Sequence, residues 1–163
     1  MRLIADCMLG KLAKWLRMLG YDTKYIPDVD DDELTRVAVK EDRILLTRDL
    51  KLSERRMLRT RCVFVDWGST REQVKQVVQA LGLTIDRDAL FTRCAVCNHE
   101  LTRLDKDEVR GRVPPYVYST QQDYGYCPQC DKIYWKGTHV QHVVQDVLQA
   151  LFEEQDNAGS NTQ

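Results

Sequence analysis

The chain has 163 residues, of which 43% are hydrophobic and 30% charged, and its formal net charge at pH 7 is -1. That length suits one ordinary domain with a small additional module. Because no apolar run reaches roughly 18 residues, the sequence excludes a membrane-spanning helix. The N-terminal segment meets an acidic residue at Asp6, too early for a secretory signal, so we expect a cytoplasmic protein with no membrane partner.

Hydrophobic periodicity in the first half predicts strands that alternate with helices. A buried strand over 2–6 is followed by leucines whose spacing predicts a helix over 8–19, ending at Gly20. Ser69 and Glu72 have the spacing of a capping box that starts a further helix. The other predicted elements are strands over 23–26, 44–47 and 62–65, and helices over 33–41 and 51–59. This alternation predicts an α/β fold, with a parallel sheet and helices on both faces.

The pattern changes near residue 88. From there to residue 139 the sequence contains turns, short alternating strands and two cysteine pairs, between which 98–126 is expected to form an extended hairpin. Thr138 is a candidate cap for a final helix. The predicted regions are a sheet domain over 1–88, a cysteine-bearing module over 89–139, a final helix over 140–154 and a disordered tail over 155–163.

The cysteine pairs are the most specific motif in the chain. In a reducing cytoplasm, C-x-x-C pairs favour metal binding over disulfides, and four thiolates form the closed tetrahedral shell of a structural zinc site. The pattern therefore predicts a zinc ribbon with four ligands: Cys94, Cys97, Cys127 and Cys130. The two remaining cysteines are expected to be buried as small hydrophobic residues: Cys7 and Cys62.

Acidic residues follow each strand of the predicted sheet. Asp6 ends the first strand, Asp31 or Asp32 opens the helix after the second, Asp49 follows the third, and Asp66 follows the fourth. Because the carboxyl ends of parallel strands share an edge, we expect these carboxylates to converge, and like charges packed together favour a bound cation. Oxygen ligands suit Mg²⁺ or Mn²⁺, which promote phosphodiester cleavage. Alternatively, each aspartate is a helix cap or turn former.

Basic residues accompany these acids. Arg48 adjoins one of them, and Lys11 lies just after another at the start of the first predicted helix, so both are candidates for contacting a phosphate. Farther along that helix, Lys14 and Arg17 are expected on its solvated face. Between Arg48 and Arg61 there are six basic and two acidic residues, a patch that either contacts phosphates or is a solvated helix face.

Aromatic and basic residues are interleaved in the cysteine-bearing module. Aromatic faces can stack on unpaired bases while cations contact phosphates, but a small module also needs aromatics for its core. We assign Trp135 and Tyr126 to that core. The roles of the other tyrosines stay open at this point: Tyr116, Tyr118, Tyr124 and Tyr134.

An ordered set of segments resembles the PIN-like Mut-seven C-terminal RNase domain family over about residues 2–142. The segments are Asp6 to Arg17, Leu19 to Asp22, Asp31 to Leu34, Arg43 to Asp49, both cysteine pairs, and Tyr134 to His139. The resemblance implies a PIN-like sheet with a zinc ribbon, and metal-dependent cleavage of RNA. It also implies that Asp6 and Asp49 bind the catalytic Mg²⁺ or Mn²⁺, and that Asp31, or its neighbour Asp32, is the third acid.

The chain departs from that family pattern at Lys51, where many PIN nucleases carry a further aspartate. Either Asp66 replaces the missing carboxylate or a single metal suffices. Two alternative hypotheses are retained. One is a non-catalytic RNA-binding module associated with ribosomes or tRNA, and the other is a toxin of the VapC type, against which the ribbon argues. Self-association into a homo-oligomer is left open.

Overall fold

A computed structural model describes residues 1–137, together with residues 142, 144, 145 and 149. The chain divides into two compact units, Met1–Leu101 and Thr102–Gln163. Most of the predicted final helix over 140–154, its candidate cap Thr138 and the whole tail over 155–163 lie outside the described residues. Within the described part, no helix has both the length and the apolar character that crossing a membrane requires.

The first unit contains the predicted parallel sheet. Its strands are β1 (Arg2–Ala5), β2 (Asp22–Tyr25), β3 (Ile44–Thr47) and β4 (Cys62–Phe64), in the order β2-β1-β3-β4. All three pairings are parallel, and Ala5 lies opposite Leu46 in the β1–β3 pair. The carboxyl ends of the strands therefore meet at one edge of the sheet, which is where the acids were predicted to gather.

Helices flank this sheet, as the sequence predicted. They are α1 (Gly10–Met18), α2 (Asp31–Lys40), α3 (Leu50–Ser53) and α4 (Thr70–Leu81), and a short 3-10 turn over Cys7–Leu9 precedes α1. The capping box of α4 is present, and Gly82 closes that helix with a left-handed φ of 58°. Beneath the helices, the core includes Ile4, Leu34, Ala38, Leu45, Leu52 and Leu58, each burial of a large apolar side chain contributing about 1.5–3 kcal/mol.

Two predicted helices begin or continue differently in the structure. Asp30, rather than Asp31 or Asp32, is the N-cap of α2, because its side chain accepts the backbone N–H of Glu33. The helix predicted over 51–59 is two short pieces, α3 and a 3-10 turn over Arg56–Leu58. They are separated at Arg55, whose ψ of 129° is incompatible with a continuous helix.

Arg17 was expected on the solvated face of α1, and that expectation is wrong. Its side chain is buried and donates hydrogen bonds to three carbonyl oxygens, those of Thr23, Ala95 and Val96. The α-helix places Arg17 on the apolar side, where a long guanidinium can satisfy backbone acceptors that a leucine would leave unpaired. The segment that contains the first cysteine pair is thereby joined to α1 and β2.

Residues 89–101 belong to the first compact unit. Besides the Arg17 contacts, the Asn98 side chain accepts the backbone N–H of Thr23 and donates to the Asp22 carboxylate. The Arg93 guanidinium donates to the Gly20 carbonyl. These bonds explain why the first cysteine pair lies in this unit; the functional division at residue 88 stays a prediction.

The second unit is built on an antiparallel sheet. Strands β5 (Thr102–Leu104), β6 (Tyr124–Cys127) and β7 (Lys132–Trp135) pair in the order β5-β6-β7. The stretch expected to be an extended hairpin instead contains a 3-10 turn over Lys106–Val109 and helix α5 (Pro115–Thr120). A capping box formed by Asp105 and Glu108 starts the 3-10 turn. Pro115 at the first helical position favours the start of α5.

The core of the second unit differs in part from the prediction. Trp135 packs against a buried cluster of valines, as expected. The tyrosine inside that cluster is Tyr124, whereas Tyr126 is only half-buried and donates its hydroxyl proton to Asp131. Arg112 lies over the Tyr126 ring, 5.2 Å from its centroid. A polar partner for both the hydroxyl and the ring face explains why Tyr126 stays near the surface.

Candidate active site and cysteine cluster

Asp6 lies directly after β1 and is 4% exposed. One carboxylate oxygen accepts the backbone N–H of Cys7 at 2.6 Å, and the other accepts the hydroxyl of Thr47 at 2.6 Å. The backbone N–H of Asp6 donates to the carbonyl oxygen of Leu46 on the neighbouring strand. A buried carboxylate held on both oxygens has a fixed orientation, which is what a preorganised ligand or catalytic group requires.

Thr47 connects the ends of β1 and β3. Besides donating to Asp6, its hydroxyl oxygen accepts the backbone N–H of Asp49 at 2.9 Å. The Asp49 side chain in turn accepts the backbone N–H of Leu52 and caps α3. Asp6 and Asp49 are therefore brought to the same edge of the sheet through one hydroxyl group. Both are caps, as the alternative interpretation supposed, but the Asp49 cap uses only one of the two carboxylate oxygens.

Asp31 and Asp32 lie at the exposed start of α2, where both meet Arg55. The guanidinium donates to Asp32 Oδ1 at 2.6 Å and lies 3.8 Å from Asp31 Oδ2. It also donates to the Asp31 carbonyl oxygen and the Thr35 hydroxyl. The Asp31 and Asp32 side chains are 51% and 89% exposed, so these ion pairs are accessible to solvent and weak.

Asp66 follows β4 at the same sheet edge and is exposed. Its carboxylate accepts the Gln76 side-chain amide at 3.2 Å, and its backbone N–H donates to the Gln76 oxygen at 2.9 Å. Gln73 donates to the Asp66 carbonyl oxygen. Helix α4 thus fixes both the backbone and the side chain of Asp66.

The carboxylates of the sheet edge are less tightly gathered than the thiols. Among the described residues, only the four paired cysteines form a group of three or more metal-binding side chains whose ligand atoms all lie within 4.8 Å of one another. Asp6, Asp31 and Asp49 do not form such a group in that part of the chain. The roles of these acids and of Asp66 as metal ligands stay a prediction.

Arg48 and Lys11 line a common cavity of about 580 Å³. Its other lining residues come from the start of α1 and the start of α4 and include Gly10, Ser69 and Thr70. The Arg48 guanidinium carbon lies 3.2 Å from the centroid of the Trp67 ring. The two predicted phosphate-contacting cations are therefore together, beside the edge that carries Asp6 and Asp49.

The four paired cysteines form the group that could hold a metal. Cys94 and Cys127 are buried, and Cys97 and Cys130 are half-buried. Four sulfurs around a tetrahedral zinc ion at 2.3 Å stand about 3.8 Å apart, a separation compatible with the 4.8 Å limit within which the Sγ atoms lie. The all-thiolate donor set therefore fits a structural zinc ion.

Each cysteine pair is followed by a residue with positive φ. Asn98 has a φ of 71° and Asp131 a φ of 49°, a conformation that asparagine and aspartate tolerate better than most residues. At the first pair, the backbone N–H of Asn98 donates to the carbonyl oxygen of Cys94, and the backbone N–H of Cys94 donates to the carbonyl oxygen of His99. These turns bend the chain back after each pair, so that two cysteines separated by two residues can reach one centre.

The two unpaired cysteines differ from each other. Cys7 is exposed, so its expected burial is wrong: it directly follows Asp6 in the first turn before α1, on the solvent side. Cys62 is half-buried in β4. Burial, and then the negative charge of Asp6, raises the pKa of the Cys62 thiol to about 11. Although Cys7 is exposed as a residue, partial desolvation of its thiol and the adjacent Asp6 carboxylate raise the pKa of Cys7 as well.

Sequence reasoning missed the contributions of Trp67, Arg55 and Gln76. The importance of Trp67 becomes visible only in the structure, where its ring is exposed and contacts Arg48. Nothing in the local pattern identifies Arg55 as the partner of Asp31 and Asp32, which are more than 20 residues away in sequence.

Comparisons with known proteins identify the family of the chain. The sequence model of the Mut7-C RNAse domain matches residues 1–147. The chain is also similar to a human protein described as an exonuclease mut-7 homolog, with 32% identity over 101 residues, which are 60% of this chain. The aligned stretch is 12% of the human protein, so the chain spans a small part of that relative. Because the family match covers most of its length, the chain belongs to the Mut7-C RNAse domain family.

Proposed function

We propose that the protein is a metal-dependent ribonuclease that hydrolyses RNA phosphodiesters at the edge formed by Asp6 and Asp49. The observation that carries the proposal is the Thr47 hydroxyl, which bonds the buried Asp6 carboxylate and the Asp49 backbone at once. Membership of an RNase domain family and similarity to an exonuclease homolog support the same chemistry.

Asp6, Asp49 and Asp31 would hold Mg²⁺ or Mn²⁺. When bound there, such an ion activates water and stabilises the charge of the leaving oxygen. The protein fixes the orientation of Asp6 through its hydrogen bonds with Cys7 and Thr47. Arg48 and Lys11 hold the phosphate and offset its charge, with Asp32 and Asp66 as the neighbouring acids that complete the negative edge.

Arg55 has a defined part in this proposal. Because it contacts Asp31 and Asp32, it offsets part of the charge of both carboxylates before RNA is bound. Release of the exposed Asp31 side chain to a metal ion would break only a 3.8 Å ion pair, a small cost at the surface.

The test is RNA cleavage by pure protein with Mn²⁺, compared with the variants Asp6→Asn and Asp49→Asn. Asparagine preserves the size of each side chain and its capping oxygen but removes the charge. The matched control is Asp88→Asn, an exposed aspartate of the same unit outside the site. We expect cleavage to be lost in the first two variants and retained in the control. Equal cleavage by all four proteins would reject the assignment.

For the four-cysteine group we propose a structural zinc ion. The donor set carries this proposal, because four thiolates give the closed site that structural zinc prefers and leave no position for a reacting water. The ion would fix the turns around each cysteine pair and takes no part in cleavage. Metal analysis of the purified protein should give one zinc per chain.

A non-catalytic RNA-binding module is the second candidate. It is favoured by the pairing of Arg55 with Asp31 and Asp32, which offsets two of the predicted acids, and by Lys51 at a position where an aspartate was expected. Salt-dependent RNA binding without cleavage in Mg²⁺, Mn²⁺ or any other divalent metal would support this candidate over the nuclease.

A further inference from the structure

The guanidinium of Arg48 has two buried nitrogens that lack a partner. Within the described residues, neither Nε nor Nη2 makes a hydrogen bond, although both are shielded from solvent. Buried donors almost always have a hydrogen-bond partner, so two neighbouring donors without one require a physical explanation. Nε and Nη2 are also the two nitrogens on one side of the guanidinium, where their N–H bonds point in the same direction and match two oxygens of a phosphate.

Trp67 covers that guanidinium. The Arg48 carbon lies 3.2 Å from the ring centroid, which is a stacked cation–π contact. The tryptophan itself is 85% exposed, the most exposed of the large hydrophobic side chains in the described part of the chain. Moving the indole away from Arg48 therefore uncovers no apolar core, whereas leaving it in water without a partner is unfavourable.

The cavity next to this pair has the chemistry of an anion site. Arg48 and Lys11 supply two positive charges, and Thr70 supplies a hydroxyl group at the start of α4. The helix start alone does not account for such a site, because the Glu72 carboxylate already accepts both the backbone N–H and the hydroxyl of Ser69. The cations, and above all the unpaired side of Arg48, are what an anion would contact.

We infer that Arg48 and Trp67 form a subsite for one unpaired nucleotide, with the phosphate on Arg48 and the base on Trp67. When a base stacks on the indole, Nε and Nη2 donate to two oxygens of the adjoining phosphate. A base inside a duplex offers no free face to the indole, so the subsite selects single-stranded RNA. This inference rests on the proposed function and adds to it the class of substrate.

Binding can be measured separately from cleavage in the full chain carrying Asp49→Asn. The probes are a fluorescein-labelled single-stranded RNA of about ten nucleotides and a duplex of the same length, at one fixed salt concentration. The variants are Trp67→Ala, Trp67→Phe, Arg48→Met and Arg48→Lys. The control is Arg87→Met, which removes an equal charge from an exposed position outside the cavity.

We expect Trp67→Ala to weaken binding of the single strand roughly five- to tenfold and to leave binding of the duplex unchanged, because one base stack is lost. Trp67→Phe should restore most of the affinity. Arg48→Lys should stay weaker than the parent chain, since lysine keeps the charge but lacks the paired donors. RNA should also change the tryptophan emission of the parent chain but not that of Trp67→Phe.

Three results would overturn the inference. The first is parent-like binding of the single strand by both Trp67→Ala and Arg48→Met, and the second is equal weakening of single strand and duplex in Trp67→Ala. If either occurs while cleavage still depends on Asp6, only the subsite is wrong and the nuclease stands. The third is the absence of both RNA binding and cleavage in the unmodified protein, which would reject the subsite and the proposed function together.

Discussion

The hydroxyl of Thr47 donates a 2.6 Å hydrogen bond to the buried carboxylate of Asp6. Thr47 is itself fully buried at the end of β3, and the same hydroxyl accepts the backbone N–H of Asp49. The bond joins two adjacent parallel strands at the point where each one ends. It connects the stability of the sheet edge to the orientation of the carboxylate on which the proposed chemistry depends.

Replacing Thr47 by valine should therefore lower both stability and cleavage. Valine has the same shape but no hydroxyl, so one Asp6 oxygen and the Asp49 N–H lose their shared partner, at a cost of about 1–3 kcal/mol in the free energy of unfolding. Thr47→Ser keeps the hydroxyl and should restore most of the cleavage rate. Urea denaturation and RNA cleavage measure the two effects. Full activity in Thr47→Val would show that the orientation of Asp6 does not limit the reaction.

The ion pair between Asp22 and Arg43 should make stability depend on pH in the acid range. Burial alone would raise the pKa of Asp22, but hydrogen bonds from Arg43 and Asn98, and the Arg43 charge, outweigh it and lower the pKa below its ordinary 3.8. A lowered pKa in the folded state means that the stabilisation is present above about pH 3.8 and is lost as pH falls through the folded value.

Asp22→Asn should remove that part of the pH dependence. The variant is expected to be less stable than the parent at pH 7, where the buried Arg43 keeps its charge but retains only the Glu41 carboxylate as an ion-pair partner, and to lose less stability on acidification. Urea denaturation between pH 3 and pH 7 (roughly the range in which carboxylates titrate) measures both. Asp88→Asn is the exposed control. Parallel stability curves for the parent and Asp22→Asn would contradict the assignment.

How far the sequence predicts this fold depends on the range of the interactions involved. The four parallel strands and the α4 capping box were predicted because each depends on spacing within a few residues. The exposure of Arg17 was predicted wrongly and the contacts of Arg55 were not predicted. A long flexible side chain can bond to acceptors that are distant in sequence, which local spacing does not reveal. The sequence pattern predicted Asp6 and Asp49 at strand ends, but the connection through Thr47 is visible only in the structure.

Arg17 should act as a positioning residue for the first cysteine pair. Its guanidinium donates to the carbonyl oxygens of Ala95 and Val96, the two residues between Cys94 and Cys97. Arg17→Lys keeps a positive charge but cannot reach three carbonyls in the same geometry. We expect the variant to lose zinc to a chelator faster than the parent, because hydrogen bonds that orient the residues around metal ligands typically change affinity about 10- to 100-fold.

Two comparisons separate this effect from a general loss of stability. Cys127→Ser should abolish stoichiometric zinc binding outright, and Lys14→Met, on an exposed position of the same helix, should leave the release rate unchanged. Zinc release is followed with a chromogenic chelator, and unfolding is followed separately by circular dichroism. If Arg17→Lys unfolds more easily yet releases zinc at the parent rate, Arg17 stabilises the fold without positioning the cysteine pair.

Cys62 should be nearly unreactive toward alkylating reagents in the folded protein. With a pKa of about 11, raised by burial and by the Asp6 charge, only about a thousandth of the thiol is ionised at pH 8, and the thiolate is the species that reacts. The alkylation rate should rise close to tenfold for each pH unit up to the pKa while the fold persists.

Asp6→Asn removes one of the two causes of the raised Cys62 pKa and should increase the alkylation rate at a given pH. Peptide mapping after iodoacetamide treatment measures both, and rapid modification of Cys62 at pH 7 in folded protein would contradict the environment described for β4.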